Sequence, residues 1–386
     1  LRAMQNVSGI EGFDVEYWSP APYWKKDKSY YGGEVGDPTN GTDPAFTAAF
    51  SDALVTDLRY LQSHGLRIAQ WGLQNEPVVG KPKPKANAGS SDAGSLQHYA
   101  TCYYSPTDYL NVMQAAAPKV RALLPNVEIH VNSWDGPSGP IAAELRKDPK
   151  VMANVDAWTW HQIGHNSNDQ ITFQEKYLRG AEGKPVYQNE FEYQPWSKNL
   201  KVDDYFMNTG QALMNWMVFE NSPVWYWIHA LKPFTNVEAV GYSLGFWRPP
   251  GEVKPGLRPD IAPGHWDYNQ RNWNAVAGFL RYLHWDSIRL SVDESTVQPD
   301  ERILVWQDKQ KHLGIALSNR GPVPYTFHLR GIQAKRLVGH RYTVTSRDTP
   351  IATRRTSKDF AVTVLPQTFE FWIADDAPGV RQRQPK

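Results

Sequence analysis

The sequence has little cysteine, almost no net charge and no long apolar run. Its single cysteine, Cys102, excludes an intramolecular disulfide framework and a thiolate zinc cluster. With 41 Lys and Arg against 40 Asp and Glu, the net charge of +1 provides no electrostatic basis for binding nucleic acid or an anionic membrane. No stretch of about 20 consecutive apolar residues is present, so the sequence predicts no membrane-spanning helix.

Aromatic residues are abundant instead. The 386 residues include 16 Trp, 19 Tyr and 14 Phe. Trp and Tyr each present a flat apolar face and a polar edge, which suits core packing and equally suits stacking on sugar rings. The shares of hydrophobic residues, 41%, and of charged residues, 21%, are typical of a globular protein.

The first residues, Leu1–Asn6, show neither the charged nor the apolar region of a secretory signal. They resemble the last turn of a helix that leads into a strand. We therefore expect this sequence to lack its N-terminal part, together with any signal, and we expect a secreted or periplasmic protein.

Strands and helices alternate through the first 286 residues. The segment 43–65 has clear helix boundaries, with Asp43 as N-cap, Pro44 at the first helical position and Gly65 as the stop. Further helices are predicted near 107–124, 170–182, 203–220 and 269–284. The six predicted strands are Phe13–Trp18, Leu66–Trp71, Val127–Val131, Val155–Trp160, Pro185–Glu190 and Val224–Ile228.

This alternation predicts parallel βαβ units. Eight strands would close a (β/α)8 TIM barrel, and six strands fit a barrel whose first two strands are absent from this chain. The alternative is an open doubly wound sheet, but no Gly-rich nucleotide fingerprint follows any strand. The fold class is therefore predicted to be α/β, with the barrel over residues 1–286.

The pattern changes after about Ser287, where short alternating runs are separated by Gly, Pro and Asn turns. Strands are predicted at 302–306, 313–317, 326–329, 341–345, 360–364 and 368–373. This spacing predicts a C-terminal antiparallel β-sandwich over 287–376, followed by a loose tail over 377–386.

Two predicted strand ends carry a glutamate, Glu76 and Glu190. Barrel enzymes keep their active sites at the carboxyl ends of the strands. Glycoside hydrolysis needs two carboxylates across a cleft, of which one protonates the leaving oxygen and the other attacks the anomeric carbon or activates water. Glu192 is a local alternative to Glu190, because residues two apart share one face of a strand.

The context of these glutamates resembles a known family. Gln74-Asn75-Glu76-Pro77 at a strand end, with a second strand-end glutamate further along the chain, resembles clan A glycoside hydrolases and, within them, glycoside hydrolase family 30. The segment Trp18–Lys25 resembles the Ser-Pro-Pro-x-Trp-Met-Lys segment of that family, with Ala21 in place of a proline. The resemblance implies a (β/α)8 barrel fused to a β-sandwich and cleavage with retention of anomeric configuration.

The resemblance also implies roles for individual residues. Glu76 would be the acid/base and Glu190 the nucleophile, while Asn75 would hydrogen-bond the sugar 2-hydroxyl. His161 would lie beside the nucleophile, and Trp227 would form a sugar platform. The family usually has Ser or Thr before the nucleophile, where this chain has Asn189, which leaves the subfamily and the substrate open.

Other residues have competing interpretations. Trp18 and Trp134, at or near strand ends, are candidate substrate-binding residues, although strand-end tryptophans also serve as core. His161 is preferred to His165 because it directly follows a strand, and either histidine could be structural. The aromatic loop 231–268 is a cleft wall or a self-packed cover. Helix capping by Asp43 and ordinary turn chemistry explain Asp37, Asn40 and Asp43 better than a calcium loop does.

The resemblance therefore implies a retaining glycoside hydrolase of β-linked glycans such as xylan, β-1,6-glucan, β-1,6-galactan or related β-glycosides. Double displacement by two glutamates requires no metal and no other cofactor. The protein is expected to act as a monomer on an oligosaccharide or polysaccharide. Two alternatives stay open, an inactive carbohydrate-binding protein on the same fold and a clan A hydrolase of another family. A metal-dependent barrel hydrolase is disfavoured because no Glu-x-x-His or His-x-His pairing occurs.

Overall fold

The computed structural model describes residues 1–8, 10–81, 100–163, 166–168, 178, 180–193, 202–233, 243–251 and 258–376. The chain divides into two compact units. The first contains Leu1–His161 and Tyr177–Asn189, and the second contains Gln162–Lys176 and Glu190–Lys386. The division falls inside one continuous strand, between Asn189 and Glu190.

Strands and helices alternate in the first unit, as the sequence predicts. The helices are α1 (Arg2–Ser8), α2 (Pro44–Ser63), α3 (Pro106–Leu123), α4 (Gly139–Leu145) and α5 (Pro149–Met152). The strands are β1 (Phe13–Glu16), β2 (Ile68–Gly72), β3 (Glu128–Trp134), β4 (Ala157–Ile163) and β5 (Val186–Glu192), of which β4 and β5 run into the second unit. The short helices α4 and α5 were not predicted, and the helix predicted over 170–182 falls mostly outside the described residues.

Helix α2 illustrates how local chemistry sets these elements. The Asp43 carboxylate accepts a hydrogen bond from the Phe46 amide at 2.7 Å, and Pro44 occupies the first turn. The helix stops before Gly65, which has a φ of 76° that favours glycine. The face with residues three and four apart is buried, and it includes Phe50, Leu54 and Leu58.

The barrel-type strands form one six-stranded sheet in the sequential order β1-β2-β3-β4-β5-β6, where β6 is Trp225–Trp227. Strands β1 to β4 pair in parallel. The sequential order fits part of a (β/α)8 barrel, whereas a doubly wound sheet reverses its strand order at a switch point. All six predicted strands are confirmed within a few residues.

Among its described residues, the second unit has two α-helices and three further sheets. The helices are α6 (Tyr205–Phe219) and α7 (Gln270–Tyr282), close to the predicted bounds. Three short strands that the sequence did not reveal, β7 (His229–Pro233), β8 (Ser243–Trp247) and β9 (Trp266–Tyr268), pair within the predicted loop 231–268. Among the described helices of both units, none is long and apolar enough to cross a membrane.

The C-terminal strands are antiparallel and fit a sandwich. One sheet has the order β10-β11-β12-β17-β14-β15 and the other pairs β13 with β16. Their bounds are β10 (Ile288–Leu290), β11 (Glu301–Gln307), β12 (Leu313–Asn319), β13 (Tyr325–Leu329), β14 (Arg336–Tyr342), β15 (Thr349–Arg355), β16 (Phe360–Val364) and β17 (Thr368–Ala374). The inner faces of these sheets share one apolar cluster that includes Ile315, Leu337 and Val362.

The strand predicted over 341–345 is wrong. The strand is β14, Arg336–Tyr342, which pairs with β17 and β15. Directly after it the chain turns, since the Thr343 amide donates to the Ser346 carbonyl at 2.9 Å and the two hydroxyls lie 2.8 Å apart. Strand β15 escaped prediction because most of its residues are exposed, so no apolar alternation marks it.

Candidate active site

The loop after β2 carries Asn75 and Glu76 and is held by backbone hydrogen bonds from both sides. The Asn75 amide donates to the Tyr17 carbonyl at 2.8 Å, and the Glu76 amide donates to the Ser133 carbonyl at 2.9 Å. Glu76 has a φ of 48°, in the left-handed region that non-glycine residues rarely adopt. Such backbone strain is maintained only where the surroundings impose it, and it concentrates at functional sites.

The Glu76 side chain is buried against a histidine. Its Oε1 lies 3.2 Å from Nδ1 of His161, on β4, and the two side chains are 6% and 1% exposed. The Trp134 ring meets the His161 ring edge to face, with centroids 5.7 Å apart. Three of the residues predicted from the sequence therefore meet at the carboxyl ends of β2, β3 and β4.

Asn75 and Trp18, also predicted from the sequence, belong to the first unit and are tied to its neighbouring strands and loops. Asn75 is buried and pairs with Ser133 through an isolated parallel bridge. The Trp18 carbonyl accepts a hydrogen bond from the Gln74 amide group at 2.7 Å, which ties the segment after β1 to the loop after β2. Trp18 and Trp134 are each 36% exposed, so both keep an accessible aromatic face.

Glu190 and Trp227 belong to the second unit. Glu190 is buried in β5, directly after Asn189, and the alternative Glu192 is also buried. Trp227, in β6, packs on Phe191 with ring centroids 5.6 Å apart. His165 lies outside the described residues.

The described parts of the aromatic loop 231–268 and of the segment Asp37–Asp43 have ordinary structural contacts. Phe246 is buried with Ile261, while Trp247 and Trp266 stay exposed. Phe234 and Tyr242 lie outside the described residues. The Asp37 carboxylate accepts hydrogen bonds from the amides of Thr39 and Asn40, as in a turn, and the Asp43 carboxylate caps α2.

Beneath the loop after β2 lies a buried polar network that the sequence analysis missed. Glu16, on β1, accepts hydrogen bonds from the Ser133 hydroxyl and, at 3.1 Å, from the Asn189 side-chain amide. His130, on β3, is fully buried, and its Nε2 lies 2.9 Å from the Asp14 carboxylate. One signal was available in the sequence, since Asp14 and Glu16 put two acids on the same face of an otherwise apolar strand.

The charges of this network depend on one another. Burial disfavours the charged imidazole of His130, but the carboxylates of Asp14 and Glu16 outweigh burial and raise the pKa of His130 to about 9. Burial raises the pKa of Glu16, against the opposing effect of the His130 cation. The acidic side chains around His130 therefore stabilise its buried imidazolium.

Gly72 makes the room for these side chains. A Cβ at position 72 would lie 2.3 Å from Cε1 of His130 and 2.7 Å from Oε1 of Glu16. A larger residue at position 72 would displace His130 or Glu16. The network therefore requires glycine at this position.

Comparison with known proteins gives structural matches alone. No family model and no curated protein sequence matches the chain. A glycoside hydrolase family 30 endoxylanase from Clostridium papyrosolvens is 14% identical with a TM-score of 0.61, and the match covers 94% of this chain and 78% of that one. The catalytic domain of a family 30 xylanase C from Talaromyces cellulolyticus is 12% identical with a TM-score of 0.67, covering 94% and 76%.

A third match is an endo-β1,6-glucanase, which is 11% identical with a TM-score of 0.65 and covers 97% of this chain and 74% of that one. Identities this low carry information about the fold and not about the substrate. The sequential parallel sheet, the C-terminal antiparallel sheets and these matches lead to one conclusion: the chain has the glycoside hydrolase family 30 fold.

Proposed function

We propose that this chain is a retaining glycoside hydrolase that cleaves β-linked glycans by double displacement. Glu190 is the nucleophile and Glu76 the acid/base. The observation that carries the proposal is the buried hydrogen bond between Glu76 and His161 at the carboxyl end of a parallel sheet, next to the accessible face of Trp134. This end of a barrel is where catalytic residues collect.

In the proposed reaction, the Glu190 carboxylate attacks the anomeric carbon while Glu76 gives its proton to the leaving glycosidic oxygen. The glycosyl ester on Glu190 forms as the bond to the leaving group breaks. Glu76, now a carboxylate, takes a proton from water, which attacks the anomeric carbon and releases Glu190. Two inversions give net retention. His161 holds the Glu76 carboxyl by its hydrogen bond, and Asn75 binds the 2-hydroxyl of the sugar.

The proposed substrates are xylan, β-1,6-glucan, β-1,6-galactan and related β-glycosides. The structural neighbours include an endoxylanase, a xylanase and an endo-β1,6-glucanase, which supports a glycan as the substrate class. The exposed faces of Trp18 and Trp134 suit stacking on successive sugar rings. Trp227 is proposed as a further platform. We also propose a secreted or periplasmic monomer; the domain limits at 286 and 376 stay predictions.

The test is a product-release screen on xylan, β-1,6-glucan, β-1,6-galactan and aryl β-glycosides. The wild type is compared with Glu76→Gln and Glu190→Gln, and Glu192→Gln serves as the matched control on the same strand. We expect each catalytic variant to lose at least about 10³-fold in kcat, because each removes an essential step. The anomeric configuration of the first product, followed by NMR, should be that of the substrate.

Three outcomes would contradict the proposal. Full activity in either catalytic variant would remove that glutamate from the mechanism. Glycan binding without turnover by the wild type would indicate the carbohydrate-binding alternative. Loss of activity on chelation, with recovery on adding a divalent cation, would indicate a metal-dependent hydrolase instead.

A further inference from the structure

We propose that Glu16 is a positioning residue, which links Ser133, the support of the Glu76 backbone, to Asn189, the residue before Glu190 in β5. The inference rests on the proposed function for the reaction that these glutamates perform. Glu16 itself lies on β1, away from the two glutamates in sequence, and its side chain is 12% exposed. Its two carboxylate oxygens have different partners on two different strands.

The first link leads to Glu76 through Ser133. One Glu16 oxygen, Oε1, accepts from the Ser133 hydroxyl, and the carbonyl of the same serine accepts the Glu76 amide at 2.9 Å. Ser133 is 1% exposed and also bridges to Asn75. Its hydroxyl also lies 2.8 Å from the Thr159 hydroxyl on β4, so hydrogen bonds from two strands hold this side chain. Because the Ser133 carbonyl accepts a hydrogen bond from the Glu76 amide, holding Ser133 in place also holds the backbone of Glu76 in place.

The second link leads to the strand of Glu190. The other oxygen, Oε2, accepts from the Asn189 side-chain amide at 3.1 Å, and the same amide nitrogen lies 3.3 Å from the Ser133 hydroxyl. Asn189 directly precedes Glu190 in β5. One carboxylate thus orients both the residue before the proposed nucleophile and the residue that supports the proposed acid/base.

A glutamate suits this position because its two oxygens accept from two donors at once. The cost of burying its charge is offset by the neighbouring His130, whose Nδ1 lies 4.0 Å from Oε1 and whose other nitrogen contacts Asp14. Within the described part of the chain, neither His130 nor Asp14 hydrogen-bonds Asn189 or Ser133, so their role is to neutralise charge, whereas Glu16 makes the links.

The substitution Glu16→Gln removes the negative charge of this side chain but keeps both of its hydrogen bonds. In Glu16→Gln the carbonyl oxygen accepts from Asn189 and the amide donates to the Ser133 hydroxyl, which can turn its own proton toward Thr159. Glu16→Ala removes both links. Because displacement of a reacting group by about 1 Å costs on the order of 10²-fold, we expect Glu16→Ala to lower kcat about 100-fold with KM changed less than about threefold. Glu16→Gln should stay within about fivefold of the wild type.

The chain offers a matched control in Glu128. This β3 glutamate also links two other strands, since Oε2 accepts from the Gln70 side chain and from the Tyr187 hydroxyl, each at 2.8 Å. It lies at the start of β3 instead of at its carboxyl end. Glu128→Ala should leave kcat within about threefold. This control separates a positioning effect at the site from the general loss of stability when a glutamate that links strands is removed.

The experiment measures kcat and KM for these variants on an aryl β-glycoside cleaved by the wild type, together with amide hydrogen exchange of the substrate-free proteins. Exchange in peptides covering 73–79 and 186–192 should be faster in Glu16→Ala than in Glu128→Ala. Ser133→Ala, which keeps the carbonyl that accepts from Glu76, should lower kcat about tenfold. Combined with Glu16→Ala it should add almost nothing, because Glu16→Ala has already removed the link that passes through Ser133.

The results distinguish this inference from the proposed function. If the wild type cleaves no glycoside but exchange rises in Glu16→Ala alone, the links stand and glycoside hydrolysis is wrong. If the wild type is active and Glu16→Ala keeps kcat within threefold, Glu16 is no positioning residue. The same conclusion follows if Glu128→Ala lowers kcat equally, or if the losses of Ser133→Ala and Glu16→Ala multiply in the double variant.

Discussion

His161 and Glu76 meet at the carboxyl end of the parallel sheet, where Nδ1 of the histidine lies 3.2 Å from Oε1 of the glutamate. The two residues come from β4 and from the loop after β2, far apart in the chain. The contact is almost fully shielded from water, with side-chain exposures of 1% and 6%. A hydrogen bond to a carboxyl in such surroundings holds that group in one orientation, which an acid/base residue requires.

His161→Ala should therefore reduce turnover by removing this hydrogen bond. A hydrogen bond to a charged group contributes about 1.5–3 kcal/mol, which corresponds to a loss of roughly 10- to 150-fold in kcat. Steady-state kinetics on an aryl β-glycoside measure the loss. His64→Ala is the control, because the ring of that exposed histidine hydrogen-bonds its own helix end, at Ser63 and Tyr60. Equal effects of the two substitutions would contradict a role for His161 at the site.

Trp134→Ala should weaken substrate binding more than the chemical step. The ring is 36% exposed, and an aromatic stacking contact contributes about 0.5–1.5 kcal/mol, so KM should rise roughly three- to tenfold. Trp134→Phe, which keeps an aromatic face, should recover part of the loss. The exposed Trp285, which follows α7, provides the control substitution Trp285→Ala. An unchanged KM in Trp134→Ala would show that its exposed face binds no sugar.

The stability of the protein should fall as the pH rises from about 6.5 to about 9. The folded-state pKa of His130 is raised from 6.5 to about 9, so the folded protein binds this proton more tightly than the unfolded chain. The resulting stabilisation is fully present below pH 6.5 and is lost as the pH passes through about 9. Its size is on the order of 3 kcal/mol. Thermal unfolding midpoints measured across this range should decline.

His130→Gln should flatten that decline between pH 6.5 and 9 while lowering stability at pH 6, because it leaves Asp14 and Glu16 without their cation. The exposed His328, paired with Asp359 on the surface, provides the comparison substitution His328→Gln. If the pH dependence of the midpoint were the same in His130→Gln as in the wild type, another group would be responsible.

Gly72→Ala should disturb the network beneath the site. The added Cβ would lie 2.3 Å from a His130 carbon, and overpacking of a buried site costs about 1–3 kcal/mol. Denaturant unfolding measures this loss, and kcat should fall with it because Glu16 must move. Gly183→Ala is the contrast: its Cβ meets nothing within 4 Å, although its φ of 77° carries about 1–2 kcal/mol of backbone strain. An active, fully stable Gly72→Ala protein would contradict this packing.

Much of this protein is determined by patterns local to the sequence. Asp43, Pro44 and Gly65 set the limits of α2 through hydrogen bonds and backbone angles that involve only neighbouring residues. The strands β1 to β6 are likewise predicted from short apolar runs, because each run is visible within a single segment of the chain. The position of Glu76 at a strand end follows directly from these local elements.

Where the local signal is weak, prediction failed. Strand β15 has mostly exposed residues, and β14 starts before its predicted position because its limits depend on pairing with β15 and β17. The bounds of an antiparallel strand are determined by its partners, which no window along the chain contains.

The polar network is the clearest product of tertiary structure alone. Asp14 and Glu16 on β1, His130 and Ser133 on β3 and Asn189 on β5 carry no common motif, and each taken separately is an ordinary polar residue. Sheet register brings them together, and burial then makes each charge depend on its neighbours. The sequence by itself determined which residues lie at the end of each strand. Only the tertiary structure decided that the Glu16 carboxylate links Ser133 to Asn189, because a buried charge is stabilised by partners on neighbouring strands that are distant in the sequence.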